Sequence, residues 1–279
     1  MTNNCEKNTP LVDFLYLGPP KSASTWLFKM LNNQPSIYLP SAKDIYFFDR
    51  YYERGVEWYE NLFTSSSEGQ CVGEICHDYI YGKNTPERIF RYNPKMKFIA
   101  ILRNPIERSI SHYKYSLKVG NIKGSFLEGI NKNPSIIECG YLSDLFIEYF
   151  NFFDKELFLI IDFNEIKSQP HDVLNRIGIF LDIVVEDTQN VETIINPARI
   201  SRFSALTKYL RGIGLWVRKL GFPNIVGFFK SSILMSILFK KVDDVSVKIT
   251  ENDKVFLNEK YESEIQKLKK LFPEELKKW

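Results

Sequence analysis

The sequence has only four cysteines and three histidines in 279 residues, too few for a disulfide framework or a dense metal site. Cys5, Cys71, Cys76 and Cys139 form no paired Cys-x-x-Cys template, so reduced thiols and no bound metal are expected. Glycine and proline are scarce, at 14 and 13 residues, which excludes collagen-like and low-complexity chains. No stretch reaches the roughly 18 apolar residues of a membrane span. The polar run Met1–Pro10 lacks the apolar centre of a secretory signal. The expectation is a cytoplasmic protein, with membrane contact at most peripheral. Net charge is small, +3 from 37 basic and 34 acidic residues, which gives no ground for a nucleic-acid partner. No fixed-period repeat is visible, so solenoid folds are set aside.

What remains is a globular composition, 44% hydrophobic, long enough for one large α/β domain. Val12–Leu17 is a short apolar run closed by Gly18-Pro19-Pro20, and Thr25–Leu31 then carries Trp26, Leu27, Met30 and Leu31 on one helical face. Similar runs at Cys71–Ile75, Phe98–Leu102 and Leu157–Ile161 precede helical patterns such as Pro86–Tyr92 and Pro105–Lys118. Strands apolar on both faces, alternating with helices, predict an α/β fold: a P-loop-like parallel sheet flanked by helices, with ligands at the carboxyl ends of its strands. Beyond Pro197 the pattern predicts helices only, over Phe203–Leu220, Phe228–Phe239 and Thr250–Phe272. A core over residues 8–202 is therefore expected, with a helical C-terminal extension over 203–279 packed on the same domain.

Charge is uneven along this extension. Residues 203–241 contain Lys208, Arg211, Arg218, Lys219, Lys230, Lys240 and Lys241 and no acidic residue. Apolar residues at 203, 206, 210, 213, 217 and 220 recur at helical spacing. Such a stripe suits core packing or a dimer face, or else a basic amphipathic surface lying on an anionic membrane.

Two segments carry chemistry. Gly18-Pro19-Pro20-Lys21-Ser22-Ala23-Ser24-Thr25 lies between a strand and a helix, where backbone N–H groups, an ammonium and hydroxyls can cradle a phosphate. A capped helix with a surface lysine would look the same. A Walker A loop requires Gly-Lys-Ser/Thr at its end; here Lys21 stands four residues before Thr25 with no glycine beside it, so an ATP-dependent P-loop kinase fits poorly. The second segment runs from Arg103 to Tyr113. Arg103 follows a strand, Pro105 opens a helix, and Arg108 and Ser111 are three apart on it. An arginine fork with a serine hydroxyl can grip a second phosphate, or Arg103 and Arg108 can pair with surface carboxylates.

Together, Pro-Lys-Ser-Ala-Ser-Thr-Trp-Leu over 20–27 and Arg-Asn-Pro-x-x-Arg-x-x-Ser-x-Tyr over 103–113 resemble the sulfotransferases that use 3′-phosphoadenosine 5′-phosphosulfate (PAPS). Asp44-Ile-Tyr-Phe-Phe-Asp49, Gly55-Val-Glu-Trp-Tyr59, Gly73-Glu74 and Pro170–Leu181 extend the resemblance over roughly residues 11–202. It implies that Lys21, Ser22, Ala23, Ser24, Thr25 and Trp26 hold the 5′-phosphosulfate. Arg103 and Ser111 would hold the 3′-phosphate, with Arg199 and Arg202 as a third element. The product would be 3′-phosphoadenosine 5′-phosphate, and no metal is needed. Lys21 would be the electrostatic catalyst. Asp44, at the acidic position of the heparan-type branch, is the first choice of base, and His77, by analogy with the cytosolic branch, the second. The family's Gly-Glu-Lys-Ser/Thr-Pro segment would place Lys at Ile75 and Pro at His77, and both differ here. Ala23 replaces the usual glycine, so the loop has negative φ there or carries strain. The implied acceptor is a hydroxyl of a carbohydrate or glycolipid, with a small-molecule or polyketide-like alcohol as the alternative. A non-catalytic nucleotide-binding module is a weaker third reading.

Overall fold

Strands β1 (Phe14–Tyr16), β2 (Ile37–Tyr38), β3 (Cys71–Ile75), β4 (Lys97–Leu102) and β5 (Phe158–Asp162) lie side by side in the order β2-β3-β1-β4-β5. Every neighbouring pair is parallel, with Leu15 opposite Glu74 on one side and Phe98 on the other. The computed structural model describes residues 11–186, 199–201, 212–214, 216–217, 219–225, 239–241 and 249–279.

The sheet is buried on both faces because its strands are apolar at consecutive positions. Leu15, Phe98 and Ala100 join one core cluster; Phe14, Tyr16, Ile99 and Ile101 join the other, as a period of two requires. The second cluster is closed by the Ser24–Asn32 helix, through Trp26, Leu27, Met30 and Leu31, and by the Pro170–Leu181 helix, through Val173, Leu174 and Ile177. The first is filled by aromatic side chains, with Phe47 stacked on Tyr59 at 4.4 Å and Phe98 on Phe158 at 4.7 Å. The Pro105–Lys118 helix has proline in its first turn, and Asn104 caps it by accepting from the Ile106 N–H at 3.0 Å.

The Glu251–Leu271 helix begins with a Thr250/Asp253 capping box and packs on the same body. Its buried Glu264 accepts from the Leu142 and Ser143 N–H groups, both at 2.7 Å, and from the Ser143 hydroxyl at 2.8 Å. Tyr261 donates to the Ile137 carbonyl at 2.6 Å.

One expectation needs correction. The region beyond Pro197 is not helical throughout, since β6 (Arg199–Ser201) pairs antiparallel with β7 (Phe239–Lys241). Three-residue apolar and basic runs do not reveal their period, so a strand pair there is invisible to pattern reading. Of the helices expected over 203–220 and 228–239, residues 212–214, 216, 217 and 219 are helical, and most of the rest lies outside the described residues.

Candidate functional site

Because β3, β1 and β4 are adjacent and parallel, the segments that follow them emerge together at one edge of the sheet. After β1 the chain makes a tight loop. A Cβ at Gly18 would fall 2.0 Å from the Tyr16 hydroxyl oxygen, so only glycine fits there. That hydroxyl donates to the Ser22 carbonyl at 2.8 Å and braces the loop from below. Lys21 (φ 74°) and Ala23 (φ 58°) are both left-handed, so the strained alternative holds at Ala23. Ala23 is the N-cap of the Ser24–Asn32 helix and offers its N-terminus no side-chain cap. Ser22 is wholly buried, and its hydroxyl finds no hydrogen-bond partner.

Positive charge gathers on this loop. Burial, then repulsion from Arg103, Lys118 and Lys43, pulls the Lys21 ammonium down to about 8. Its Nζ lies 4.0 Å from the centre of the Tyr115 ring. Arg103, at the end of β4, rests on the Phe163 ring at 4.3 Å, pairs with Glu107 at 3.4 Å and reaches the Lys21 carbonyl at 3.5 Å. Arg103 thus meets a surface carboxylate and the phosphate-type loop at once. Arg108 does neither: it is fully buried and donates to Ser109, to the Ile136 carbonyl and toward His112. Burial and the Arg108 charge push His112 down to about 4. Ser111 is partly exposed on the same helix. The main chain of Arg199 lies in β6 opposite Lys241, and Arg202 lies outside the described residues.

The facing loop, from Lys43 to Asp49, hangs on a buried carboxyl. Glu74 of β3 accepts from the Ile45 N–H at 3.1 Å, from Tyr59 at 2.8 Å and from Tyr79 at 2.8 Å. Burial raises Glu74 to about 8, against the hydrogen bonds from Tyr59, Tyr79 and Ile45. Tyr79 also accepts from the Phe47 N–H at 2.9 Å. Asp44 (φ 59°) and Tyr46 (φ 63°) are left-handed.

Asp44 and His77, the two alternative bases, touch. Asp44 Oδ1 lies 2.7 Å from His77 Nδ1, and His77 Nε2 lies 3.1 Å from Asp78 Oδ1. Burial works against protonation of this imidazole, but the Asp44 hydrogen bond and the charges of Asp44 and Asp78 outweigh it and raise its pKa. Asp78 is in turn paired with Arg50, which stacks on Tyr46 at 4.0 Å. Burial likewise lifts Asp49, at the far end of the loop, to about 6.

Lys43 joins the two sides, its Nζ donating to Ser24 Oγ at 3.0 Å and Thr25 Oγ1 at 3.2 Å. Sequence reading passed over it, and over Asp78, because an isolated lysine or aspartate has no spacing signal. The only clue was that Lys43 adjoins the Asp44–Asp49 segment.

A helix N-terminus beside four cations, facing a carboxylate–imidazole–carboxylate chain at the carboxyl edge of a parallel sheet, is an arrangement that can hold an anion next to a group able to accept a proton. Residues 11–208 match the sulfotransferase domain, and the chain belongs to that family. It is 35% identical over 137 residues to the membrane-associated sulfotransferase kil1 of Dictyostelium discoideum, a match covering 46% of this chain and 29% of that protein. It is 27% identical over 177 residues to human heparan sulfate glucosamine 3-O-sulfotransferase 6, covering 61% of this chain and 52% of that protein. The chain thus spans about a third to a half of the length of these relatives. A sulfotransferase from Alicyclobacillus acidocaldarius superposes with a TM-score of 0.60 at 20% identity, over 78% of this chain and 96% of that one. Mouse sulfotransferase SULT7A1 complexed with PAP superposes with a TM-score of 0.52 at 17% identity, over 91% and 85%. Both share the fold. Among the described residues no helix is long and apolar enough to cross a membrane.

Proposed function

We propose that this chain transfers a sulfuryl group from PAPS to a hydroxyl of a carbohydrate or glycolipid acceptor by in-line displacement. The observation that carries the reading is the convergence of Lys21, Lys43, Lys118 and Arg103 beside one helix N-terminus, with the Asp44–His77 pair across from it. The residues fit a polyanionic donor: Lys21 is repelled by three other cations, and the Ser22 hydroxyl is buried without a partner. PAPS, when bound, supplies the sulfuryl group and a phosphate leaving group. Around it the main-chain N–H groups of Ser22, Ala23 and Trp26 and the hydroxyls of Ser24 and Thr25 bind the 5′ end. The Trp26 ring is only 2% exposed, so Trp26 acts through its backbone. Arg103 and Ser111 take the 3′-phosphate, with Arg199 and Arg202 as its third element. The Lys21 ammonium stabilises charge growing on the bridging oxygen, more in the transition state than in the ground state.

On the acceptor side Asp44 takes the hydroxyl proton, and His77, fixed between Asp44 and Asp78, holds that carboxylate in place. No step needs a metal. The heparan sulfate relatives and the Asp44–Tyr59 segment favour a glycan over a small alcohol. The test is transfer of labelled sulfate from PAPS to heparan-type oligosaccharides, glycolipids and small alcohols, with and without chelator. Chelator-resistant labelling of the glycan or glycolipid pool is expected. Labelling confined to small alcohols reassigns the acceptor, and metal-dependent phosphate transfer from ATP overturns the reading.

A further inference from the structure

The turn over residues 219–225 is tied to the body mainly through its main chain. Arg54 donates to the Lys219 carbonyl and lies against the Tyr51 and Trp58 rings, at 5.1 and 4.9 Å. Trp58 Nε1 donates to the Gly221 carbonyl at 3.2 Å, and Ser41 donates to the Asn224 carbonyl at 3.1 Å. Asn224 returns a bond to the Leu62 carbonyl at 3.4 Å. Gly221 has φ 102°, and a Cβ there would fall 2.4 Å from Arg54 Nη1, so the clamp requires glycine.

This anchoring leaves apolar side chains facing out. Trp216 is 61% exposed, Phe222 57%, Leu220 49%, Ile225 46% and Ile213 40%. Five large apolar side chains exposed within thirteen residues exceed the scattered exposure that an ordinary surface carries. They stand in the middle of 203–241, a stretch with seven basic residues and no acidic one. A second copy of the chain is a poor occupant, because a two-fold contact would set this acid-free basic stretch against itself. The aliphatic members give nucleic-acid bases no ring to stack on. Exposed apolar side chains within a stretch of sequence that is basic and acid-free match a bilayer with anionic headgroups, where Trp and Phe sit at the interface and each Lys or Arg adds attraction.

We propose that the exposed Ile213, Trp216, Leu220, Phe222 and Ile225 dock on an anionic lipid surface and present the site to a membrane-borne acceptor. The second half of that statement rests on the sulfotransferase reading above; the docking itself does not. Continuity supports the link, since Ser41, Arg54 and Trp58, which hold the turn, lie on the chain segments to either side of the Lys43–Asp49 loop that carries the proposed base.

The test is co-sedimentation of the whole chain with phosphatidylcholine vesicles and with vesicles of equal parts phosphatidylcholine and phosphatidylserine. Sedimentation with the second only, weakened by salt, is expected. A Trp216→Ser/Phe222→Ser variant should bind these vesicles about tenfold more weakly or worse. Its melting temperature and its binding of 3′-phosphoadenosine 5′-phosphate should stay unchanged, because both side chains are exposed. No sedimentation with phosphatidylserine at low salt overturns the docking, as does a wild-type dimer in ultracentrifugation that the double variant dissolves. Vesicle binding without sulfate transfer to any acceptor leaves docking intact and removes the catalytic reading; transfer without vesicle binding does the reverse.

Discussion

The loop after β1 and the loop from Lys43 to Asp49 are alike in build and opposite in charge. Each is braced from beneath by buried tyrosine hydroxyls, and each holds two left-handed residues that are not glycine. The first gathers Lys21, Arg103 and Lys118, while the second sets Asp44 against His77, whose other ring nitrogen meets Asp78. Lys43 grows from the second and reaches into the first. A single charge sign would suit a binding module. Two signs within one small site suit a reaction in which an anion arrives on one side and a proton leaves on the other.

The sharpest way to break this contrast is on the cationic side. Lys21→Ala should lower turnover by roughly two to three orders of magnitude, the scale for losing a transition-state charge partner, while 3′-phosphoadenosine 5′-phosphate still binds in calorimetry. Equal losses of binding and turnover would make Lys21 a tether only. On the acidic side, Asp44→Asn should cost about a hundredfold in kcat and His77→Asn about tenfold, with a shifted pH–rate profile. The reverse ranking would make the imidazole the base and Asp44 its support.

Next in size is the hub beneath the acidic loop. Glu74→Ala orphans the Ile45 N–H and two tyrosine hydroxyls, and should destabilise by about 3 kcal/mol in denaturant unfolding. The folded-state pKa of Glu74, about 8, lies above its ordinary 4.5, so between these values the folded chain keeps a proton that the unfolded chain releases. Stability therefore falls as pH rises through that window, and Glu74→Gln should flatten the fall. The smallest effect is a count of protons. Lys21 is held near 8, so binding of 3′-phosphoadenosine 5′-phosphate at pH about 9 should draw protons from solution, read by calorimetry in buffers of different ionisation enthalpy. Binding without uptake at that pH would mean that the anion does not sit against Lys21.

Much of the frame was legible because periodicity and punctuation agreed. Cys71–Ile75 is β3 as read, and the Pro105–Lys118 helix begins at the proline that marks it. The Gly18–Thr25 segment was legible as a loop between strand and helix, and the structure places it there. The meeting of Asp44 and His77 was not legible, because they are 33 residues apart and come together through tertiary bonds such as those from the Asp44 N–H to the Ile75 carbonyl and from the Ile45 N–H to Glu74. Arg108 looked like a ligand or surface residue because its motif shows spacing and not depth. Its burial depends on Ile136 and Tyr261, elements remote in sequence.

Lys21, Ala23, Asp44 and Tyr46 are four of the five described non-glycine residues with positive φ. Each such conformation costs about 1–2 kcal/mol relative to a relaxed backbone. A laboratory search for heat-resistant variants would therefore find its easiest gains at these positions, Ala23→Gly foremost. At Lys21 and Asp44 those gains would remove the ammonium and the carboxylate themselves, so selection by melting temperature alone would enrich sturdy, slow variants there, whereas Ala23→Gly would relax the loop and leave both groups in place.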